Sequence, residues 1–230
     1  MSRFRTTRWS LIAEAAIEAP SRPRPALEEL CCAYRPPVLA YIRRSGHPPS
    51  DAEDLTQAFF VRFLERGWIA DADPQRGRFR NLMLVSLRRF LADEHARACT
   101  LKRGCGRIAD ADALDHVAST SETPEQAFDR AWLGTVLARA MARLQHEWCA
   151  SGRQAQFDQL APLLAGADGN ALRELAEAVG ARGNTLAVQL HRMRGRLRQL
   201  VRLELLRTVG SPESLETELS ELRGILESAS

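Results

Sequence analysis

The side chains best placed to do chemistry lie between Leu172 and Arg202, and the chemistry they suit is the binding of nucleic-acid phosphates. Arg182, Arg192, Arg194, Arg196, Arg198 and Arg202 are cationic there, and no acidic residue occurs from Ala178 to Leu203. The elements that must position them follow from apolar spacing. Leu172, Leu175, Ala176 and Val179 mark one face of a short helix. Gly180, Ala181, Arg182 and Gly183 form a turn. A second helix follows, with Leu186, Leu190, Met193, Leu197 and Leu200 on a single stripe. A helix-turn-helix with a cationic second helix can enter a major groove and hold phosphates at its edge. A helical hairpin with a solvated basic face has the same pattern.

Composition sets the wider bounds. The chain has 230 residues, 27% of them charged and 45% apolar, with a formal net charge of +3. That is ordinary for a soluble protein with one large or two small cores. The charge is patchy: acidic at Asp51 to Asp54, basic from Arg182 to Arg202, acidic again from Glu213 to Glu227. Such asymmetry suits one surface for nucleic acid and another for a basic protein partner. The five cysteines include no CxxC pair. His95, Cys99 and Cys105 are close in sequence but lack a zinc-site spacing and a fourth ligand. The expectation is reduced thiols in a cytoplasmic protein, with no metal and no cofactor. The leading segment carries Glu14 and Glu18 within its apolar run, so it reads as neither signal peptide nor membrane span.

Almost every periodic segment has helical period. Helices are expected over Thr7 to Ala19, Ala26 to Arg44 (broken or kinked near Pro36 and Pro37), from Ser50 through Leu64, and over Arg78 to Arg97. Ser50 and Glu53 have capping-box spacing, and Asp51 and Asp54 suit a helix N-terminus. Leu55, Phe59 and Phe63 form that helix's apolar stripe. Phe79, Leu82, Met83, Leu87, Phe90 and Leu91 form the next. The pattern is lost from Ala98 to Pro124. It resumes at Glu125 to Trp148 and Arg153 to Leu164. After Ser211-Pro212, Leu215, Leu219, Leu222 and Leu226 mark a final amphipathic helix. The fold class is therefore all-α: two helical domains joined by a flexible linker. No nucleophile elbow, P-loop, zinc motif or dinucleotide loop is found, and the carboxylate pairs lie on exposed faces, so an enzyme is not expected.

DAEDLTQAFFVRFL at Asp51 to Leu64, followed by GRFRNLMLVSLRRFLADEHAR at Gly77 to Arg97, resembles the second domain of bacterial sigma factors. LHRMRGRLR at Leu190 to Arg198 resembles their fourth domain. The two occur in order with a linker and no third domain between, as in the extracytoplasmic-function (ECF) group. The resemblance covers roughly residues 26 to 207. It implies an N-terminal extension over 1–25 and sigma domain two over 26–98, which binds core polymerase and the −10 element. A linker over 99–124 leads to sigma domain four over 125–207, which reads the −35 element, and a C-terminal helical extension over 208–230.

The resemblance also implies partners and sites. Asp51, Glu53, Asp54, Gln57, Phe60 and Leu64 would meet the β′ clamp helices of core RNA polymerase, and domain four the β flap. Trp68, Arg76, Arg78, Arg80, Arg88 and Arg89 would open the −10 element of promoter DNA. Phe79 is read as core, and Trp68 as either a stacking platform or core. Arg182, Asn184, Thr185, Ala187, Val188, His191 and Arg192 lie near the −35 groove by correspondence; His191 is a contact or a spectator. Arg and Asn can read G and A, whereas Ala and Val can touch only thymine methyls. Relatives usually carry basic residues at the positions of Ala187 and Gln189 and a capping Ser at Arg182, so the recognised sequence is not borrowed from them.

Three controls are compatible with these residues. Thr56, one turn after the acidic cap, is a candidate phosphoacceptor for a Ser/Thr kinase, and phosphorylation would add about −1.5 to −2 charges to the polymerase-facing helix. A separate anti-sigma factor is a second. The acidic C-terminal helix covering the basic recognition helix is a third. The competing function is a stand-alone helix-turn-helix regulator that binds DNA without polymerase. It leaves the acidic-aromatic helix and the arginine-rich opening segment without a role.

Overall fold

The computed structural model describes residues 25–66, 79–104, 122–166, 169–180, 183–206, 215–220 and 224. The regular elements among them are helices: α1 (Pro25–Arg44), α2 (Pro49–Glu65), α3 (Phe79–Gly104), α4 (Pro124–Ala150), α5 (Gln154–Leu160) with a 3-10 turn at Ala161–Leu163, α6 (Gly169–Ala178) and α7 (Gly183–Leu206). Residues 215–220 are also helical. The all-α class holds. The chain divides into two compact units, Met1–Thr135 with Leu206–Ser230, and Val136–Leu205. The division falls inside α4 rather than in the stretch read from sequence as a linker. α3 also runs on to Gly104, into that stretch; residues 105–121 lie outside the described set.

The first unit is built on aromatic rings. Tyr34 of α1 stacks on Trp132 of α4, with centroids 4.5 Å apart, and meets the edge of Phe79 at 5.2 Å. Phe59 and Phe63 of α2 meet Phe90 and Phe79 of α3 edge to face at 5.6 and 6.2 Å. Such edge-on pairs add about 0.5–1.5 kcal/mol each beyond their burial. α1 is one helix from Pro25 to Arg44 with Pro36 and Pro37 inside it, so the break allowed for there does not occur. A proline inside a helix removes one backbone hydrogen bond and crowds the carbonyl four residues back, a cost that packing can offset. Here Ala33, Tyr34, Val38, Tyr41 and Ile42, all buried, anchor both sides.

Two caps also differ from the reading of the sequence. Ser50 and Glu53 do not form a capping box. The N-cap is Pro48, with no side-chain cap and Pro49 at the first helical position. Glu53 instead reaches Arg35 at 2.5 Å and Arg43 at 3.2 Å, tying α2 to α1. A reciprocal capping box closes the start of α4: the Thr123 N–H donates to Gln126 Oε1 at 2.7 Å, and the Gln126 N–H to Thr123 Oγ1 at 3.2 Å.

The second unit packs Ala140, Leu144 and Trp148 of α4, Phe157 and Leu160 of α5, and Leu190, Met193 and Leu200 of α7 into one core. The Arg153 guanidinium covers the Trp148 ring at 4.6 Å, and the Arg153 N–H donates to the Trp148 carbonyl at 2.9 Å. This contact fixes the turn from α4 to α5. None of the described helices is long and apolar enough to cross a membrane.

Candidate nucleic-acid and partner-docking surfaces

The second unit holds α6 and α7, the pair read from sequence as a helix-turn-helix. α6 ends at Ala178, and the turn that follows passes through Gly180, whose φ of +62° is the left-handed conformation that glycine adopts without strain. Beyond the turn, the period of α7 sorts its residues. Leu186, Leu190 and Met193 are buried, as the spacing requires, and so is Leu200. Asn184, Thr185, Val188, His191 and Arg192 are exposed and Ala187 is half-buried. One helix face thus carries an amide, a hydroxyl, an apolar tip, an imidazole and a guanidinium, with no carboxylate among them. Arg182 lies outside the described residues. Val179, expected on the inner face of α6, is 40% exposed. It is the last apolar residue before the turn, where the inward stripe gives out.

The cations of α7 are not equivalent. Arg196 is clamped by Glu147, with Nη2 and Nε donating at 2.6 and 2.8 Å, and it holds that carboxyl below the usual carboxylate range. Arg194 donates to the Leu163 carbonyl at 2.7 Å. Arg192 and Arg198 are exposed and make no polar contact among the described residues.

In the first unit α2 carries the acidic surface. Asp51 and Asp54 are exposed; Asp51 accepts the Ser50 hydroxyl at 3.0 Å, and Glu53 is neutralised by Arg35 and Arg43. Gln57 is exposed, and Phe60 and Leu64 are half-buried, Phe60 edge-on to Phe59 at 5.4 Å. The apolar residue that this face offers to solvent is Val61, at 54%. Asp54, Gln57, Ala58 and Val61 stand at i, i+3, i+4 and i+7, so they form one stripe. Val61 was not singled out from sequence, although counting turns from Asp54 reaches it.

Thr56 does not face outward. It is 0% exposed, and its hydroxyl donates to the Ala52 carbonyl one turn back at 2.7 Å. The phosphoacceptor expectation is therefore corrected: in this fold Thr56 belongs to the inner face with Ala52, Phe59 and Phe63.

The residues expected to open the −10 element divide four ways. Trp68, Arg76 and Arg78 lie outside the described residues. Arg80 is corrected from DNA contact to interior residue. It is 5% exposed, donates from Nη1 to Asp129 Oδ1 at 2.6 Å, and stands with Nε 3.3 Å from Glu218 Oε1. Arg88 donates to Glu125 Oε1 from Nη2 at 2.8 Å, and the same oxygen accepts the Tyr41 hydroxyl at 3.2 Å. Arg89 is exposed and makes no polar contact among the described residues.

Glu218 also bears on the C-terminal extension. Leu215 and Glu218 are buried, at 4% and 1%, and the segment from Leu206 onward belongs to the first unit. The expectation that its acids cover the recognition helix is corrected for Glu218, which is spent on Arg80 of α3. Leu222 and Leu226 lie outside the described residues.

The thiols show no disulfide among the described residues. Burial pushes the Cys31 thiol up to about 11, with the neighbouring Cys32 adding to the effect, so it stays protonated and inert. No group of three or more His, Cys, Asp and Glu suited to a metal ion occurs among the described residues. No protein-family model, curated protein or solved structure matches this chain.

Proposed function

We propose that this chain is a promoter-specificity subunit similar to the ECF sigma factors: it binds core RNA polymerase and directs promoter recognition, DNA opening and the start of transcription, with no catalytic activity of its own. The observation that carries the reading is the sorting of α7. Its apolar stripe is buried, while Asn184, Thr185, Val188, His191 and Arg192 stand together on a face free of acids. That face suits the major groove, where amide and guanidinium groups read base edges and an apolar tip meets a thymine methyl. The Asp54–Val61 stripe of α2 supports a second surface, for a protein presenting cations around an apolar contact. A stand-alone DNA-binding regulator leaves that stripe without use.

The test is a pull-down of the purified chain with bacterial core RNA polymerase, alongside duplex-DNA binding. Retention by polymerase, lost in Asp54→Ala and Val61→Glu chains that still fold, is the expected result. Duplex binding with no polymerase retention would replace the proposal with the stand-alone regulator.

A further inference from the structure

A groove beside the reading face of α7 is not used by the surfaces described above. It lies within the second unit, holds about 230 Å3, and runs between α5 and the first turns of α7. Its floor is Leu160 and Leu186, both buried, and Val179 adds an apolar wall that is 40% exposed. Its rim is neutral: α5 supplies the amides of Gln156 and Gln159, and α7 the amide of Gln189 and the hydroxyl of Thr185. None of the described residues that line it carries a charge. Thr185 belongs both to this groove and to the face proposed to read DNA. Thr185, Gln189 and Arg192 follow at i, i+4 and i+7, so the groove borders that face.

The lining selects among occupants. A neutral groove offers no charge to hold a phosphate or a carboxylate, and it is too small for a helix, which is about 10–12 Å across. An apolar floor under amides matches the major-groove edge of an A·T pair. Adenine presents an acceptor at N7 beside a donor at N6, and a glutamine amide carries both a donor and an acceptor to meet them. Thymine presents an acceptor at O4 and a methyl group. Guanine presents two acceptors, which leave the amide oxygen of a glutamine unmatched. We infer that Gln189 is a specificity-determining residue that reads adenine through its amide, while the groove takes the methyl of the paired thymine against Val179 and Leu186. The amides of Gln156 and Gln159 extend the interface to α5, where they bond the sugar–phosphate backbone of the same site. The inference rests on the proposed function and adds to it one A·T pair at the edge of the recognised sequence.

The test is selection from a randomised duplex pool by the full-length chain, with and without bacterial core RNA polymerase, followed by affinity measurements on the selected duplex. A fixed A·T pair is expected. Replacing its thymidine by deoxyuridine removes only the methyl and weakens binding about fourfold, the worth of one buried carbon. Val179→Thr keeps the shape of that wall but makes it polar, and it shrinks the difference between thymidine and deoxyuridine. Gln189→Ala loses at least about fivefold of the preference for the pair. Gln156→Ala combined with Gln159→Ala weakens all sequences alike and leaves the preference in place. A Gln189→Ala chain that selects the wild-type sequence overturns the inference. So does a wild-type chain indifferent to deoxyuridine at every position. Both results leave duplex binding and the proposed function standing. Enrichment of no duplex, with or without polymerase, overturns the proposed function together with this inference.

Discussion

Arg80 Nε stands 3.3 Å from Glu218 Oε1, with only 6% and 2% of the two side chains exposed. The contact through Nε is a charge pairing rather than a directed hydrogen bond, whereas Nη1 donates a directed bond to Asp129. One guanidinium thus joins the start of α3, the first turns of α4 and the C-terminal segment. Removing one partner of a buried pair costs about 3–5 kcal/mol, because the other charge is left sealed from water. Glu218→Ala is expected at the low end, since Asp129 still serves Arg80, and Arg80→Ala at the high end. Urea denaturation followed by circular dichroism measures both. Equal, near-zero losses would show that the C-terminal segment is not part of the first unit's core.

Thr56 separates a structural from a regulatory role. Thr56→Val keeps the shape and loses one hydroxyl bond, an expected cost of about 0.5–1.5 kcal/mol. Thr56→Glu puts a carboxylate among Ala52, Phe59 and Phe63 and is expected to cost several kcal/mol or prevent folding. A Thr56→Glu chain as stable as wild type, with stronger polymerase retention, would restore the phosphorylation idea. Thermal melts decide this before any transcription assay.

Glu147 makes acid sensitivity testable. Its hydrogen bonds from Arg196 outweigh desolvation and hold the carboxyl below its ordinary value. A group depressed in the folded state contributes stability above its unfolded value of about 4.3, and loses it as pH falls through the lower folded value. Both side chains are more than a third exposed, at 36% and 40%, so solvent screening holds the contribution to within about 1 kcal/mol. Urea midpoints taken from neutral pH downward should therefore fall less steeply for Glu147→Gln than for wild type. Parallel curves would mean that the pair is silent in solution.

The same pair sorts the arginines of α7. If the proposed function holds, exposed Arg192 neutralises phosphate and clamped Arg196 does not. Arg192→Ala should make the plot of log affinity against log salt shallower by about 0.9 on duplex DNA, the share of one phosphate contact. Arg196→Ala should leave that slope unchanged and lower only stability. Reversed effects would place the DNA path on the Glu147 side of the helix.

Much of the fold was legible in the residues alone, because helical period is a local property. Spacing of three and four fixes which face of a helix is apolar, and burial follows: Leu186, Leu190 and Met193 on α7, Phe79, Met83, Leu87 and Phe90 on α3. Elements and inward stripes therefore came out close to their observed places, and with them the outward face of α7. Charges are different. Arg80, Arg89, Arg192 and Arg196 look alike as letters, since a guanidinium's fate depends on which distant carboxylate packing brings within reach. Only the tertiary structure committed Arg80 to Asp129 and Glu218, Arg196 to Glu147 and Glu53 to Arg35 and Arg43, and left Arg192 exposed to solvent. Thr56 went the same way. A residue of middling polarity carries no strong signal of face, and its burial was decided by how α2 packs in the first unit.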